Sequence, residues 1–272
     1  MRFGFVGYGS MGAVLLNGLL ECGAIAEDEI IVTNRALSKL DRLKEAHPGV
    51  RVVGSCEEVA SADVIFLCTR TGDVKCVLEE MSSFIGPKAH IVSINGGLQI
   101  KNLERLFPGK ITKAIPSMTM ASGHGVTLVC HNSAVDPSSA LTIEGLFRRV
   151  GSVQIVKEDQ FEVAADLTSC APAFIAAMAQ RFAEAGSRRS DLDDDSVRRM
   201  VVETLLGTAL TLSTGEVSFD ELRSRVATKG GITEQGLAVL DRELPRVFDL
   251  VLEATLSMHE EVKQSITCHF EK

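Results

Sequence analysis

The run Gly7-Tyr8-Gly9-Ser10-Met11-Gly12 constrains this chain more than any other feature, because it follows the apolar strand pattern Phe3–Val6 and opens a helical stretch reaching Glu21. A strand, glycines spaced Gly-x-Gly-x-x-Gly and a helix make the first turn of a βαβ unit that receives a dinucleotide. The first glycine makes the tight turn, the second lets a pyrophosphate approach the backbone, and the third lets helix and strand pack closely. The pyrophosphate rests on free N–H groups at the helix N-terminus, where the helix dipole favours an anion. The hexapeptide alone is a common pattern; the strand before it and the helix after it make it specific. Gly7, Gly9, Ser10, Met11 and Gly12 are therefore assigned to dinucleotide binding.

The second strand selects the nucleotide. An Asp or Glu at its tip would hold a ribose 2′-hydroxyl and repel a 2′-phosphate. Here the tip reads Thr33-Asn34-Arg35, with Ser38 and Lys39 just beyond. With no acid and a guanidinium available, Asn34 and Arg35 point to NADPH, leaving NADH as the alternative. The plainer reading makes Arg35 and Lys39 solvated surface charges.

Up to residue 157 the chain alternates strand and helix patterns. Strands are expected at 3–6, 29–33, 50–53, 64–68, 90–94, 111–114, 126–130 and 153–156. Near-continuous apolar strands alternating with helices predict a parallel sheet covered on both faces. Ser38-Lys39-Leu40-Asp41 and Ser55-Cys56-Glu57-Glu58 have capping-box spacing, His47-Pro48-Gly49 stops a helix, and Asp136-Pro137 starts one. After Glu158 the strand signals end and helices are expected at 162–168, 172–185, 196–213, 220–227 and 233–263. The fold class is thus α/β: a Rossmann dinucleotide-binding domain over 1–157, then an all-α domain over 158–272. The helix at Met200–Leu212 is apolar on nearly every face and should be buried all round. So small a helical half predicts a homodimer or larger assembly in which partner chains cover each other's apolar helices, with a compact monomeric bundle as the alternative.

An excess of acids (36 Asp plus Glu against 28 Lys plus Arg, net −8) argues against a nucleic-acid footprint. The apolar stretch from Met200 is too short to span a bilayer, so no membrane partner is expected. Seven scattered cysteines without a C-x-x-C pair, and no leader pattern before the first strand, suggest a reduced, cytoplasmic setting.

With these pieces in hand, the chain resembles the pyrroline-5-carboxylate reductase family nearly end to end. The resemblance is carried by the start, by Ile115-Pro116-Ser117, by Leu167-Thr168-Ser169-Cys170-Ala171-Pro172-Ala173, and by Thr228-Lys229-Gly230-Gly231-Ile232-Thr233 with Gly236-Leu237-Ala238-Val239-Leu240. It implies NADPH-dependent reduction of a cyclic imino acid, pyrroline-5-carboxylate to proline, by an intertwined dimer. It also implies that the Gly230 and Gly231 amides hold the substrate carboxylate, with Lys229 in the same loop, and that the catalytic Thr233 reaches the imine nitrogen. Ser117 falls on a substrate-binding segment, and Thr69 and Arg70 fall beside the nicotinamide ribose. The substrate site is expected in a crevice between the strand ends and helices supplied largely by a partner chain. The chemistry suits so sparse a site: a protonated imine already invites hydride, so position and carboxylate binding suffice. Read without the resemblance, Gly230-Gly231 is equally a plain helix–helix turn with Thr233 as N-cap.

Departures from the family pattern gather at the site. Ser117 replaces the usual Asn, Cys68-Thr69-Arg70-Thr71 replaces Ala-Val-Lys-Pro, Thr168-Ser169-Cys170-Ala171 replaces Ser-Gly-Ser-Gly, and Lys229 replaces Pro. They leave open a paralogous reductase of another imino or keto acid, or a non-catalytic dinucleotide-binding dimer. A ketone reductase would place a Lys at the start of the interdomain helix, and residues 168–181 hold neither Lys nor His. Asp191-Leu192-Asp193-Asp194-Asp195 reads as helix capping rather than a cation site. The histidines show no ligand spacing to the cysteines, so no metal is expected, and Cys170 reads as a packing residue.

Overall fold

The computed structural model describes residues 1–271. Eight strands form one sheet: β1 (Phe3–Val6), β2 (Ile30–Thr33), β3 (Arg51–Val52), β4 (Val64–Leu67), β5 (His90–Ser93), β6 (Lys110–Ile115), β7 (Gly125–His131) and β8 (Gly151–Ile155). Their order is β3-β2-β1-β4-β5-β6-β7-β8. Helices α1 (Ser10–Glu21), α2 (Asp41–Ala46), α3 (Cys56–Val59), α4 (Val74–Met81), α5 (Ile100–Glu104) and α6 (Pro137–Arg148) connect them. There follow α7 (Phe161–Ala165), a π-helical turn at Asp166–Cys170, α8 (Ala171–Ser187), α9 (Asp194–Ser213), α10 (Phe219–Val226) and α11 (Ile232–Glu271).

All eight expected strands form, but the sheet is mixed rather than parallel. β1 to β6 run parallel, whereas β6 pairs antiparallel with β7. The link between β6 and β7 holds only a 3₁₀ turn, Met118–Ser122, closed by Gly123 at φ 77°. So short a link cannot carry a crossover helix and must reverse the chain. α6 then returns it for the parallel β7–β8 pair.

Successive strand residues point to opposite faces, and each face has its own core. Phe5 stacks on Phe66 at 4.6 Å beneath Leu15, Leu19 and Phe147 on one side. Ile65, Leu67, Leu78 and Leu103 line the other, where Ile266 and Phe270 from the end of α11 also lodge. The i,i+4 spacing of those two residues puts them on one helix face. The stretch from Thr255 onward accordingly forms one compact unit with Met1–Cys170, and Ala171–Ala254 form a second. A single cut after residue 157 does not describe this division, because α7 and the π turn pack on the sheet side and the last turns of α11 rejoin it.

Helix ends follow the expectation in part. Asp136 accepts from the Ser139 N–H ahead of Pro137, and Asp193 caps α9 through the Ser196 N–H. Neither predicted capping box closes. Ser38 lies inside a 3₁₀ turn before α2 begins, and Ser55 stands at the N-cap without a side-chain bond. A full box forms instead at Ser218 and Glu221, opening α10. In the single chain α9 buries only Val197, while Met200, Val202, Leu205, Leu206 and Leu210 are exposed. The expected all-round burial is absent within one copy.

One buried cation braces the far side of the sheet. Lys113 on β6 is 2% exposed, lies over the Phe161 ring at 4.7 Å and reaches Glu158 at 3.8 Å. Burial pushes its ammonium pKa down and the Glu158 carboxylate opposes that. The same Glu158 oxygen accepts from the Ile100 N–H at 2.7 Å, tying β6, α5 and the start of the helical half together.

Candidate active site

The strand order reverses direction between β1 and β4, and a ligand crevice forms outside the carboxyl ends of strands at such a switch point. Three glycines shape it. Gly7 leaves β1 at φ 102°, and a Cβ there would stand 2.8 Å from the Cys68 carbonyl. A Cβ on Gly12 would meet the Gly7 oxygen at 2.8 Å and the Cys68 side chain at 2.9 Å. These two glycines therefore serve the fold: one needs the left-handed region and both need the space. Gly9 is different, because a Cβ there would meet nothing within 4 Å. The turn is bare at the position where a pyrophosphate would approach, and Gly9 caps α1 with no side chain of its own.

Asn34 holds this turn in place rather than facing outward. Its Oδ1 accepts from the Tyr8 N–H at 2.9 Å and its Nδ2 donates to the Ala36 carbonyl at 2.8 Å. Arg35 is 81% exposed and leans towards Asp73 at 3.8 Å. A concavity of ≈ 410 Å³ beside the turn is lined by Tyr8, Gly9, Ser10, Ala13, Ser38, Lys39 and Arg42. Its cations are thus Lys39 and Arg42. Lys39 was noted beside the strand tip, with a solvated surface charge as its plainer reading, whereas Arg42, one turn further on at the start of α2, carried no signal in the sequence.

At the end of β4 the Thr69 hydroxyl is buried without a hydrogen-bond partner. A buried polar atom left orphaned in a crevice is a place for a ligand's polar atom. Burial pushes the neighbouring Cys68 thiol up to about 12, so it stays neutral beside the glycine turn. Arg70 is exposed immediately after Thr69. Asn95, at the end of β5, was not anticipated: its Nδ2 donates to the Leu67 carbonyl at 3.2 Å and its Oδ1 accepts from the Thr71 hydroxyl at 3.2 Å. The polar ending Ser93-Ile94-Asn95 of an otherwise apolar strand was the available signal. The bare Gly9 turn, the cationic concavity and the orphaned Thr69 hydroxyl together fit a phosphorylated dinucleotide. Gly9, Ser10, Thr69, Lys39 and Arg42 are the residues there that could hold it.

The two segments where the sequence departs most from the family pattern meet in the first unit. Ser117 is fully buried; its Oγ donates to the Thr168 carbonyl at 3.0 Å and lies 2.9 Å from the Thr119 hydroxyl. Ser169 Oγ donates to the Pro116 carbonyl at 3.4 Å. Ser117 is thereby committed to holding the Pro116 segment against the π turn. A direct contact to substrate through its hydroxyl would require that bond to open.

In the second unit, Thr228–Gly231 joins α10 to α11. Gly230 adopts φ 73°, and the Gly231 N–H donates to the Thr228 carbonyl at 2.8 Å. The Gly230 N–H donates to the Glu234 carboxylate at 2.7 Å. Thr233 is exposed within the first turn of α11, which starts at Ile232, and so is not the N-cap. Lys229 is also exposed. Arg223 Nη2 donates to both carboxylate oxygens of Asp241 at 2.7 Å, which clamps α10 to α11 around this loop.

A doubly wound sheet with an open glycine turn at its switch point, followed by a helical domain, defines a dinucleotide-dependent oxidoreductase. Residues 2–97 match the family described as NADP oxidoreductase, coenzyme F420-dependent, and residues 158–262 match the pyrroline-5-carboxylate reductase dimerisation family. Pyrroline-5-carboxylate reductase 3 of Bacillus subtilis (strain 168) is 31% identical over 97% of this chain and 98% of its own. ComE operon protein 4 of the same organism is 28% identical over 96% of both chains. The solved structure of a pyrroline-5-carboxylate reductase from Coxiella burnetii superposes with a TM-score of 0.89 at 30% identity, covering 96% of this chain and 98% of that one. The chain belongs to the pyrroline-5-carboxylate reductase family, NAD(P)H-dependent oxidoreductases acting on a C=N bond.

The helical run Glu158–Ser187 is long and apolar enough to cross a membrane by length and composition. It lies inside the dimerisation match, and it leaves Ile175, Met178 and Phe182 exposed in the single chain.

Proposed function

We propose that this protein reduces pyrroline-5-carboxylate, or a closely related cyclic imino acid, with NADPH, as a cytoplasmic homodimer. The observation that carries the substrate class is the Gly230 N–H, which already binds a carboxylate oxygen, that of Glu234, at 2.7 Å. A glycine amide that binds an internal carboxylate ahead of a helix N-terminus can bind a substrate's in its place, which supports this reading. In this reading Glu234 yields the amide when substrate arrives. Thr233, in the first turn of α11, offers its hydroxyl to the imine nitrogen. Lys229 adds positive charge to the carboxylate side. When bound, NADPH supplies the hydride. Gly9 and Ser10 hold the pyrophosphate, and Lys39 and Arg42 hold the 2′-phosphate. Thr69 finds in the bound nucleotide the partner its hydroxyl lacks, with Arg70 alongside. A protonated imine accepts hydride without a strong acid, which fits a loop whose only cation is Lys229.

The relative named ComE operon protein 4, together with the altered segments at Ser117 and Cys170, supports a second reading, a dinucleotide-binding dimer without this turnover. One assay separates the two. NADPH oxidation is followed with pyrroline-5-carboxylate, with its six-membered homologue and with the decarboxylated pyrroline. The reductase reading expects turnover with the carboxylated rings and a large loss with the decarboxylated one. Tight NADPH binding with no turnover on any of the three would favour the second reading and remove the first.

A further inference from the structure

We propose that Asp166, Cys170 and His259 bind one divalent transition-metal ion of the zinc type. The three residues lie within the first compact unit. Asp166 and Cys170 are the two ends of the π-helical turn, and His259 comes from the last turns of α11. Their donor atoms, one carboxylate oxygen, one thiol sulfur and one imidazole nitrogen, all lie within 4.8 Å of one another. Asp166 Oδ1 stands 3.0 Å from His259 Nε2. In a tetrahedral zinc site with bonds of about 2.0–2.3 Å, neighbouring donors are about 3.3–3.6 Å apart. The Asp–His edge is already nearly that long, and the sulfur has to close by roughly 1 Å.

The chemistry of the donors agrees with the geometry. Carboxylate, thiolate and neutral imidazole form a mixed hard and soft set that suits zinc and excludes magnesium or calcium, which demand oxygen ligands. The Asp166 side chain is 0% exposed, so its charge sits out of water. A bound dication would balance the carboxylate and a thiolate together. The outer shell is in place as well. Thr255 Oγ1 donates to Asp166 Oδ2 at 2.6 Å, which turns the other oxygen towards His259. His259 is 28% exposed, giving the ion a path from solvent and a fourth position for water. Single-turn π segments inside helices, such as these five residues, are frequent at functional sites. The bound ion would staple the end of α11 to the segment that touches Pro116 and Ser117, alongside the Lys263–Glu162 pair at 3.6 Å.

The test needs no turnover, so its failure is separate from any failure of the reductase reading. The full-length protein is reduced, stripped with a chelator and titrated with Co²⁺. We expect one equivalent per chain, the visible bands of a tetrahedral ion and a sulfur-to-cobalt charge-transfer band, all displaced by Zn²⁺. Cys170→Ser abolishes the charge-transfer band, and Cys170→Ser and His259→Gln, which remove direct ligands, each weaken binding by more than the roughly 10–100-fold that loss of an outer-shell partner costs. Zn²⁺ raises the melting temperature of the wild type with the logarithm of its excess over Kd, and not that of the two variants. These two partly exposed positions are chosen because Asp166→Asn removes a buried carboxylate from two partners and can unfold the chain by itself. Absence of stoichiometric binding, or a cobalt spectrum unchanged in Cys170→Ser, overturns the proposal.

Discussion

The backbone N–H of Gly230 is bound to the side chain of Glu234 four residues ahead, at 2.7 Å, in the loop that opens α11. The amide assigned to substrate is therefore contested by an anion of the chain itself. Glu234→Gln keeps the shape and an oxygen acceptor but removes the charge. Charge-assisted hydrogen bonds exceed neutral ones by about 1 kcal/mol, so the rival weakens and KM for a carboxylated imine falls roughly fivefold. KM for the decarboxylated ring stays where it was. Steady-state kinetics on the two substrates checks this, and a KM that rises for the carboxylated ring would show that Glu234 orders the loop rather than competing for it.

The glycines of the first turn separate folding from binding. Gly7→Ala forces a side chain into φ 102° and against the Cys68 carbonyl, costing about 1–3 kcal/mol of stability from backbone strain alone. Gly9→Ala meets nothing in the protein. Its cost in stability stays within about 1 kcal/mol, the difference between Gly and Ala at an N-cap. Its new methyl group stands where the pyrophosphate must come, so NADPH affinity drops by about tenfold or more, the 1.4 kcal/mol of one displaced contact. Chemical denaturation and a fluorescence titration on both variants decide the matter. Wild-type NADPH affinity in Gly9→Ala would place the phosphates elsewhere.

Cofactor choice should rest on Lys39 and Arg42 more than on Arg35. The first two line the concavity beside the turn, while Arg35 is 81% exposed and drawn to Asp73. Replacing both Lys39 and Arg42 with Ala is expected to raise KM for NADPH about tenfold or more while NADH is little changed, since only the former carries the extra phosphate. Arg35→Ala moves the ratio less. The check is the ratio of kcat/KM for the two cofactors in each variant. A larger change in Arg35→Ala than in the double variant would return the phosphate to the strand tip.

The residues explain why the fold was largely legible and the site less so. All eight strands were visible because each is a short apolar run bounded by turn residues, and the glycine turn was visible because its geometry tolerates little else. The reversal at β7 was not, because direction depends on the length of a link rather than on the strand's own composition. Ser38 and Ser55 had the right neighbours for capping boxes, but Ser38 lies inside a 3₁₀ turn and the Ser55 side chain makes no capping bond. Met200, Leu205 and Leu210 read as core and lie exposed in one copy, so packing within the single chain does not account for their pattern. The Asp166–His259 contact joins residues 93 positions apart, a separation at which no local spacing rule operates.

Acid sensitivity should trace in part to His90. This residue is buried in β5, with Nε2 2.7 Å from the Thr112 hydroxyl, which in turn lies 2.7 Å from His131 Nδ1. Burial first, then the nearby His131 and Lys110, push its pKa down from 6.5 to about 4. The folded state therefore keeps the ring neutral while the unfolded chain takes up a proton as pH drops through 6.5. Stability from this group is fully present above about pH 6.5 and is lost as pH falls towards 4. The loss reaches roughly 2 kcal/mol by pH 5 and about 3 kcal/mol once both states are protonated. Urea denaturation at pH 7.5, 6 and 5 measures it. In His90→Gln, which keeps a polar partner for Thr112 but cannot titrate, the slope over that window becomes shallower by the same amount even if the variant is weaker at every pH. An identical slope in both proteins would assign the acid sensitivity to other groups.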